Sequence, residues 1–383
     1  MPNPEKFEQP KIEKPPQIKP EEQKSEILEK EPKRPALEIL KEKAEITEKE
    51  LERAMEEHGY FSLFERVKNK VIFANENANI PLELKEKLEL GKESSLGLFL
   101  KTAEPIRAKE LGERNLETWP REHGRSAILE RMMIHDKGHF FRDIDLKGIG
   151  STVPVIETGT RREGHWGLLE KKDALHEYAI SENFLKAGIR TFRVLGIIEP
   201  EEIFFKDKKI SLKEVKEKGI IKREFQPVIE VRAFGTKARI RDFTGGFGDE
   251  IKKSLLEDAK KMVSQETGKN LSNDKDYLEW FTNTFGRNVG LMHKNGWYHG
   301  RLGPHDSRLG AHNITLDCRI TDFDTVRKIK FFEGKRLNNE KDIAMSSCLR
   351  LAHELGIFED MEMRKKFEEG YNAVFPPKKE KNF

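Results

Sequence analysis

The chain has 383 residues, with 71 Lys and Arg against 68 Asp and Glu and a formal charge of +3. That near balance, without a basic and aromatic array of the kind that tracks a strand, argues against a nucleic-acid role. Cys318 and Cys348 are too few for a zinc site or a disulfide framework, and no apolar run of about 18 residues is available to span a bilayer, so a cytoplasmic protein without a membrane partner is expected.

In chain order, residues 1–34 are dominated by Pro, Lys, Glu and Gln, the composition of a disordered arm, which could recruit a partner. Leu37, Ile39, Leu40, Ala44, Ile46, Leu51, Ala54 and Met55 predict helices with charged faces, and a helical extension is expected over 35–94. Residues 71–135 carry the weakest pattern. Ile144 and Leu146 open a strand-like run that ends in Lys147, Gly148 and Gly150, glycines able to approach phosphates closely. Residues 156–167 read as a hairpin tipped by Arg161 and Arg162.

The spacing of Leu175, Tyr178, Ala179 and Leu185 predicts a helix over 171–187, with Gly188 as its stop. Glu182 falls inside that apolar stripe. A carboxylate facing a core needs a cation, and Lys147 on the preceding strand is the candidate; the alternative is a solvated lysine and a glutamate at the stripe's edge. Gly245, Gly246 and Gly248 mark a hinge near 242–250. Beyond it, helical periodicity covers 251–265, 277–294, 341–355 and 361–371, and 376–383 is a basic tail.

Residues 298–324 carry the most chemistry. Ile314, Leu316, Ile320 and Phe323 alternate around Asp317, Cys318 and Arg319, which predicts a tight hairpin with Asn313 before it and Asp322 at its end. An amide oxygen and a carboxylate on one rim suit Mg²⁺, which completes its shell with phosphate oxygens and water. A polar hairpin whose aspartate caps a turn is the plainer alternative.

Taken together, Lys147-Gly148 with Gly150, the Glu177 to Glu182 helix followed by Leu185 to Thr191, Val231-Arg232-Ala233, His299-Gly300, and Asn313 with Asp322 resemble the SelO family of kinase-fold AMP transferases. The resemblance covers about residues 140–330. It implies an α+β, two-lobed protein kinase-like fold, with an N-lobe over 95–244 and a C-lobe over 245–375. It further implies that Lys147, Gly148 and Gly150 meet the phosphates of ATP, that Lys147 pairs with Glu182, that Arg232 and Arg239 touch phosphate, and that Asn313 and Asp322 hold Mg²⁺. ATP would lie flipped relative to protein kinases, and AMP would pass to a Ser, Thr or Tyr hydroxyl of a protein.

The family's base is missing. It has an aspartate just before the metal-binding Asn, where this chain has His312, and Arg301 follows His299-Gly300. His312 or Asp306 is the candidate to take the proton instead. Two other readings stay open, a phosphotransferase and a noncatalytic nucleotide-binding module.

Overall fold

Alternation along one strand organises the molecule. The computed structural model describes residues 60–101, 106–107, 115–117, 125–136, 138–150, 167–205, 208–244, 249–303, 313–329 and 334–376. The chain is α+β. Its first part holds β1 (Tyr60–Arg66), β2 (Asn69–Ala74), the short α1 (Leu82–Lys87), β3 (Leu98–Leu100), β4 (Ile106–Arg107), β5 (Asn115–Glu117), β6 (Ser126–Asp136), β7 (His139–Lys147) and β8 (Leu169–Glu170). Then come α2 (Lys171–Lys186), β9 (Arg193–Pro200), β10 (Glu202–Phe205), β11 (Lys208–Ser211), α3 (Leu212–Glu217) and β12 (Pro227–Phe234). Among the described residues the main sheet has ten strands, in the order β2-β9-β12-β7-β6-β5-β1-β3, with β4 on β1 and β8 on β12.

The register of β7 against β12 sets Leu146 opposite Val231 and Ile144 opposite Ala233, while Lys147 faces Glu230 and Asp145 faces Arg232. Because side chains alternate across a strand, each set shares one face. The apolar set joins a core with Val71, Ile134, Ile198 and Ile229. The other face carries charge into the region beneath the sheet.

Below the sheet the chain is helical: α4 (Ile240–Thr244), α5 (Asp249–Thr267), α6 (Asp274–Lys294), the ribbon β13 (Trp297–Tyr298) with β14 (Arg327–Lys328), α7 (Gly334–Glu354) and α8 (Asp360–Asn372). Asn273 caps α6 by accepting the Asp276 N–H at 2.8 Å. A Cβ on Gly286 would stand 2.1 Å from the Phe367 carbonyl, so that glycine lets α6 and α8 touch backbone to backbone. No helix among the described residues is long and apolar enough to cross a membrane.

Two boundaries differ from expectation. Of the helical extension expected over 35–94, the described residues keep only the short α1, since Tyr60–Arg66 and Asn69–Ala74 are strands of the main sheet. In β2 the buried Val71 lies opposite Ile198 of β9 while Lys70 points to solvent, so pairing with a distant strand decides the local structure. The chain also leaves the sheet at Phe234, before the expected hinge, and 245–248 lie outside the described residues. The expected arm at 1–34, the hairpin at 156–167 except its last residue, and all but the first residue of the tail also lie outside them.

Buried ion pairs tie the sheet to α5. Arg142 of β7 donates to both carboxylate oxygens of Asp258, at 2.5 and 2.8 Å. Glu266 accepts from Arg190 at 2.6 Å, from Arg319 at 3.3 Å and from the Phe140 N–H at 3.3 Å. Burial pushes the Glu266 carboxyl up, but Arg319 and Arg190 prevail and hold it well below the usual carboxylate range. Its stabilisation is therefore complete above the unfolded value of about 4.3 and is lost as pH falls below it towards the folded value. Glu266→Gln should flatten the acid limb of a stability profile taken from urea midpoints between pH 7 and 3, and parallel profiles would remove Glu266 from the acid response.

Candidate active site

Lys147 ends β7 and reaches under the sheet to the carboxylate of Glu177 on α2, both buried. The expected partner, Glu182, is elsewhere. It accepts from Arg193 Nε at 2.8 Å and Nη2 at 3.0 Å and from Asn75 Nδ2 at 3.0 Å, against β9. The physical reason is the helix phase: the buried positions of α2 are Ala174, Glu177, Ile180, Ser181, Glu182 and Phe184, while Leu175 is 40% exposed. A stripe traced through Leu175 and Tyr178 therefore follows the wrong side. The i, i+3, i+7 series through Ala174, Glu177, Ser181 and Phe184 was the available signal.

Beside Lys147, Arg232 donates from Nε to Asp145 at 2.9 Å, and Lys237 also reaches that carboxylate. Arg232 lies 3.6 Å from Glu177, and its guanidinium sits beside the stacked pair Phe192 and Phe234, 5.3 and 5.1 Å from their ring centres. Burial raises the Glu177 carboxyl, but Lys147 and Arg232 outweigh it and bring it below its ordinary value. Glu230, opposite Lys147, is pushed well up by burial and by the charge of Glu177. The cations of this face are thus matched by buried acids.

The hairpin that carries Asn313 and Asp322 forms as bridges. Ile314 pairs with Ile320, Thr315 pairs with Arg239, and Ile320 runs parallel to Thr191. Its tight turn puts Cys318 at φ 63°. The Thr321 N–H donates to the Asn313 carbonyl at 2.9 Å, which sets Asn313 beside the Asp322 end, and Arg239 Nη1 donates to Asn313 Oδ1 at 3.4 Å. Asp322 itself is left-handed, φ 65° and ψ 79°, a conformation Asp tolerates better than most residues. Phe323 anchors it by packing between Phe184 and Phe192 at 5.2 and 4.9 Å.

Two residues hold this turn: His299, already part of the motif in the sequence, and Glu340, which the sequence reading passed over. His299 Nδ1 accepts the Arg301 N–H at 3.3 Å, so Nε2 carries the proton and donates to the Thr321 carbonyl at 2.9 Å. Burial keeps that ring's pKa down. Glu340 of α7 accepts from the N–H groups of His299 and Gly300 and from His293 Nε2, the last at 2.9 Å.

The carboxylates of Glu177, Asp322 and Asp324 converge, with oxygens within 4.8 Å of one another. Burial opposes ionisation of Asp322, but Lys147, Arg239 and Arg125 bring its pKa below the ordinary value. Asp324 goes the other way, raised by burial and by Asp322 and Glu177 despite Lys147. Arg125 stands 3.6 Å from Asp324. Crowded acids of this kind, with Asn313 alongside, form a hard oxygen donor set that fits Mg²⁺, although Lys147 already neutralises Glu177.

The glycines do not form an open phosphate cradle. Gly148 and Gly150 have φ 90° and 101°, but their N–H groups are spent on the carbonyls of Arg125 and Gly167. A Cβ on Gly148 would stand 2.4 Å from the Val228 carbonyl, so its role is close packing of strand ends. His312 and Asp306 lie outside the described residues.

No family model and no curated protein matches the chain. Among solved structures, the kinase domain of a Toxoplasma gondii rhoptry antigen is similar over 68% of this chain and 76% of its own, at 10% identity and a TM-score of 0.31. That degree of likeness carries no argument about fold or chemistry, which rest on the geometry above.

Proposed function

We propose that the chain has a two-lobed, protein kinase-like fold and is an ATP- and Mg²⁺-dependent transferase that moves AMP to a protein hydroxyl. The observation that carries this reading is the convergence of Lys147, Glu177, Asn313 and Asp322 between the sheet and the hairpin. Lys147, oriented by Glu177, is suited to hold nucleotide phosphate, and Arg239 adds a permanent charge beside Asn313. Asn313, Asp322 and Asp324 would hold Mg²⁺, which when bound supplies charge to offset that of the phosphates.

In this reading AMP rather than phosphate is transferred, which needs the α-phosphate of ATP to face the acceptor. A nucleobase needs a flat, largely apolar slot. Where β12 gives way to Gly235, the space is filled instead by Asp145, Arg232 and Lys237, each 3% exposed or less. A Cβ on Gly235 would fall 1.9 Å from Asp317, which closes the same end from the hairpin side. The triphosphate would therefore enter first, with the γ-phosphate deepest and the α-phosphate towards the mouth. The acceptor oxygen then attacks the α-phosphorus, the bond to the bridging β oxygen breaks, and pyrophosphate leaves. His312 or Asp306 would take the hydroxyl proton.

Mg²⁺-ATP binding to wild type and Asp322→Ala by calorimetry, followed by parallel incubations of a cell lysate with ATP labelled at the α-phosphate or at the γ-phosphate, tests the proposal. Asp322→Ala is expected to weaken Mg²⁺-ATP at least about tenfold, roughly 1.4 kcal/mol. Protein-bound label should appear with wild type alone. Unchanged affinity overturns the site, and label found only from the γ-phosphate overturns AMP transfer in favour of phosphoryl transfer.

A further inference from the structure

Immediately beyond Asn313 lies a cavity of about 270 Å³ between the His299 turn and α7. Its walls include Tyr298, Arg301, Gly303, Glu340 and Ile343. It adjoins the proposed reaction centre through one hydrogen bond, from Asn313 Nδ2 to the Arg301 carbonyl at 2.9 Å. We infer that this cavity binds an acidic side chain of the acceptor polypeptide, next to the hydroxyl that is modified. The inference rests on the hydroxyl-transfer reading of the adjacent site.

Charge is the first argument. The Arg301 side chain is exposed and makes no ion pair or side-chain hydrogen bond with another described residue. The one acid in the wall is already committed, because Glu340 accepts from two backbone N–H groups and from His293. What remains for an incoming group is a guanidinium fork, the donor geometry that best matches a carboxylate. The neighbouring ribbon extends the same sign, with Arg327 over the Tyr298 ring at 5.0 Å and Lys328 over Trp297 at 3.8 Å.

Size and rigidity are the second. Sites for whole small molecules run from about 300 to 1,000 Å³, and this cavity is smaller, suited to one side chain of a chain that continues outside. Its floor is well set. A Cβ on Gly303 would fall 1.8 Å from Ile343, so the turn is pressed onto α7, and Ser347 donates to the Leu302 carbonyl at 3.3 Å. Such packing, with the Asn313 Nδ2 bond to the Arg301 carbonyl, sets the Arg301 backbone beside Asn313.

Fluorescence anisotropy with the full chain and a labelled Glu-Glu-Ser-Glu-Glu peptide tests this, with Lys-Lys-Ser-Lys-Lys and Ala-Ala-Ser-Ala-Ala for comparison. The acidic peptide should bind in preference to both. Arg301→Glu should weaken it at least about tenfold, Arg301→Lys should retain part of the affinity, and Mg²⁺-ATP affinity should be unaltered in both. Lys213→Glu, at a side chain 85% exposed on α3, reverses a charge away from the cavity and should leave peptide binding as it is. Equal binding of the three peptides, or equal weakening by Arg301→Glu and Lys213→Glu, would overturn the subsite. Because peptide binding is read without turnover, failure of the nucleotide site shows separately, as an Asp322→Ala protein with unchanged Mg²⁺-ATP affinity.

Discussion

Glu177→Gln is expected to lower the transfer rate about 100-fold with the fold intact, because a group misplaced by an ångström costs on that order. The carboxylate of Glu177 is what holds the Lys147 ammonium, and it also lies 3.6 Å from Arg232. With a neutral amide there, Lys147 loses its fixed direction and is drawn towards Asp322 and Asp324, whose oxygens lie within 4.8 Å of those of Glu177. Glu182→Gln makes the opposite split. Glu182 accepts from Arg193 and Asn75 and touches no residue of the proposed centre, so its loss should cost roughly 1.5–3 kcal/mol of stability, the usual worth of hydrogen bonds to a charged group. Single-turnover rates and urea midpoints for the two variants decide between them. A rate lost in Glu182→Gln and kept in Glu177→Gln would refute the assignment of the pair.

The largest loss of stability is expected from Arg142→Ala, about 3–5 kcal/mol, since removing one member of a buried ion pair leaves the other charged and unsolvated. Arg142 is 3% exposed and serves two acids, Asp258 through both guanidinium ends and Asp143 through Nε at 2.8 Å. Burial alone would drive protons onto Asp143, and Arg142 with Arg131 keeps it ionised below its ordinary pKa. Paired replacement by apolar residues of similar volume, Arg142→Met with Asp258→Leu, should recover much of the loss, because it removes both desolvation penalties together. Urea denaturation of the single and double variants measures this, and a double variant no more stable than Arg142→Ala would refute the ion-pair account. Since Arg142 sits on β7 and Asp258 on α5, the same experiment reports how firmly the sheet is held to the helical part.

Much of the helical part was legible in advance. The apolar spacing within 251–265, 277–294, 341–355 and 361–371 lies within the observed α5, α6, α7 and α8 apart from one residue at the end of the third, since an amphipathic face repeats every few residues and needs no distant partner to be seen. The hairpin of Asn313 and Asp322 was legible for a similar reason, its alternating apolar residues and polar turn being close in sequence. Strands β1 and β2 were not. They fell within the expected helical extension, whose apolar spacing runs from Leu37 to Met55, and only pairing with β9 and the strands near β5 makes them part of the sheet.

At the site, residue types and their order along the chain pointed to Lys147, Asn313 and Asp322, because motif spacing survives in a linear sequence, and Arg239 entered only through the family resemblance. Which acid meets Lys147 was decided by the rotation of α2 against the sheet, a property of packing that moved the pair from Glu182 to Glu177. The same is true of Gly148 and Gly150, whose N–H groups were consumed by neighbouring carbonyls, and of Glu340, brought from α7 to clamp the His299 turn across a long loop. Sequence by itself determined the chemical inventory and the local periodicities. Tertiary structure alone decided the partners, since a buried charge pairs with whichever opposite charge the packing presents at hydrogen-bond distance.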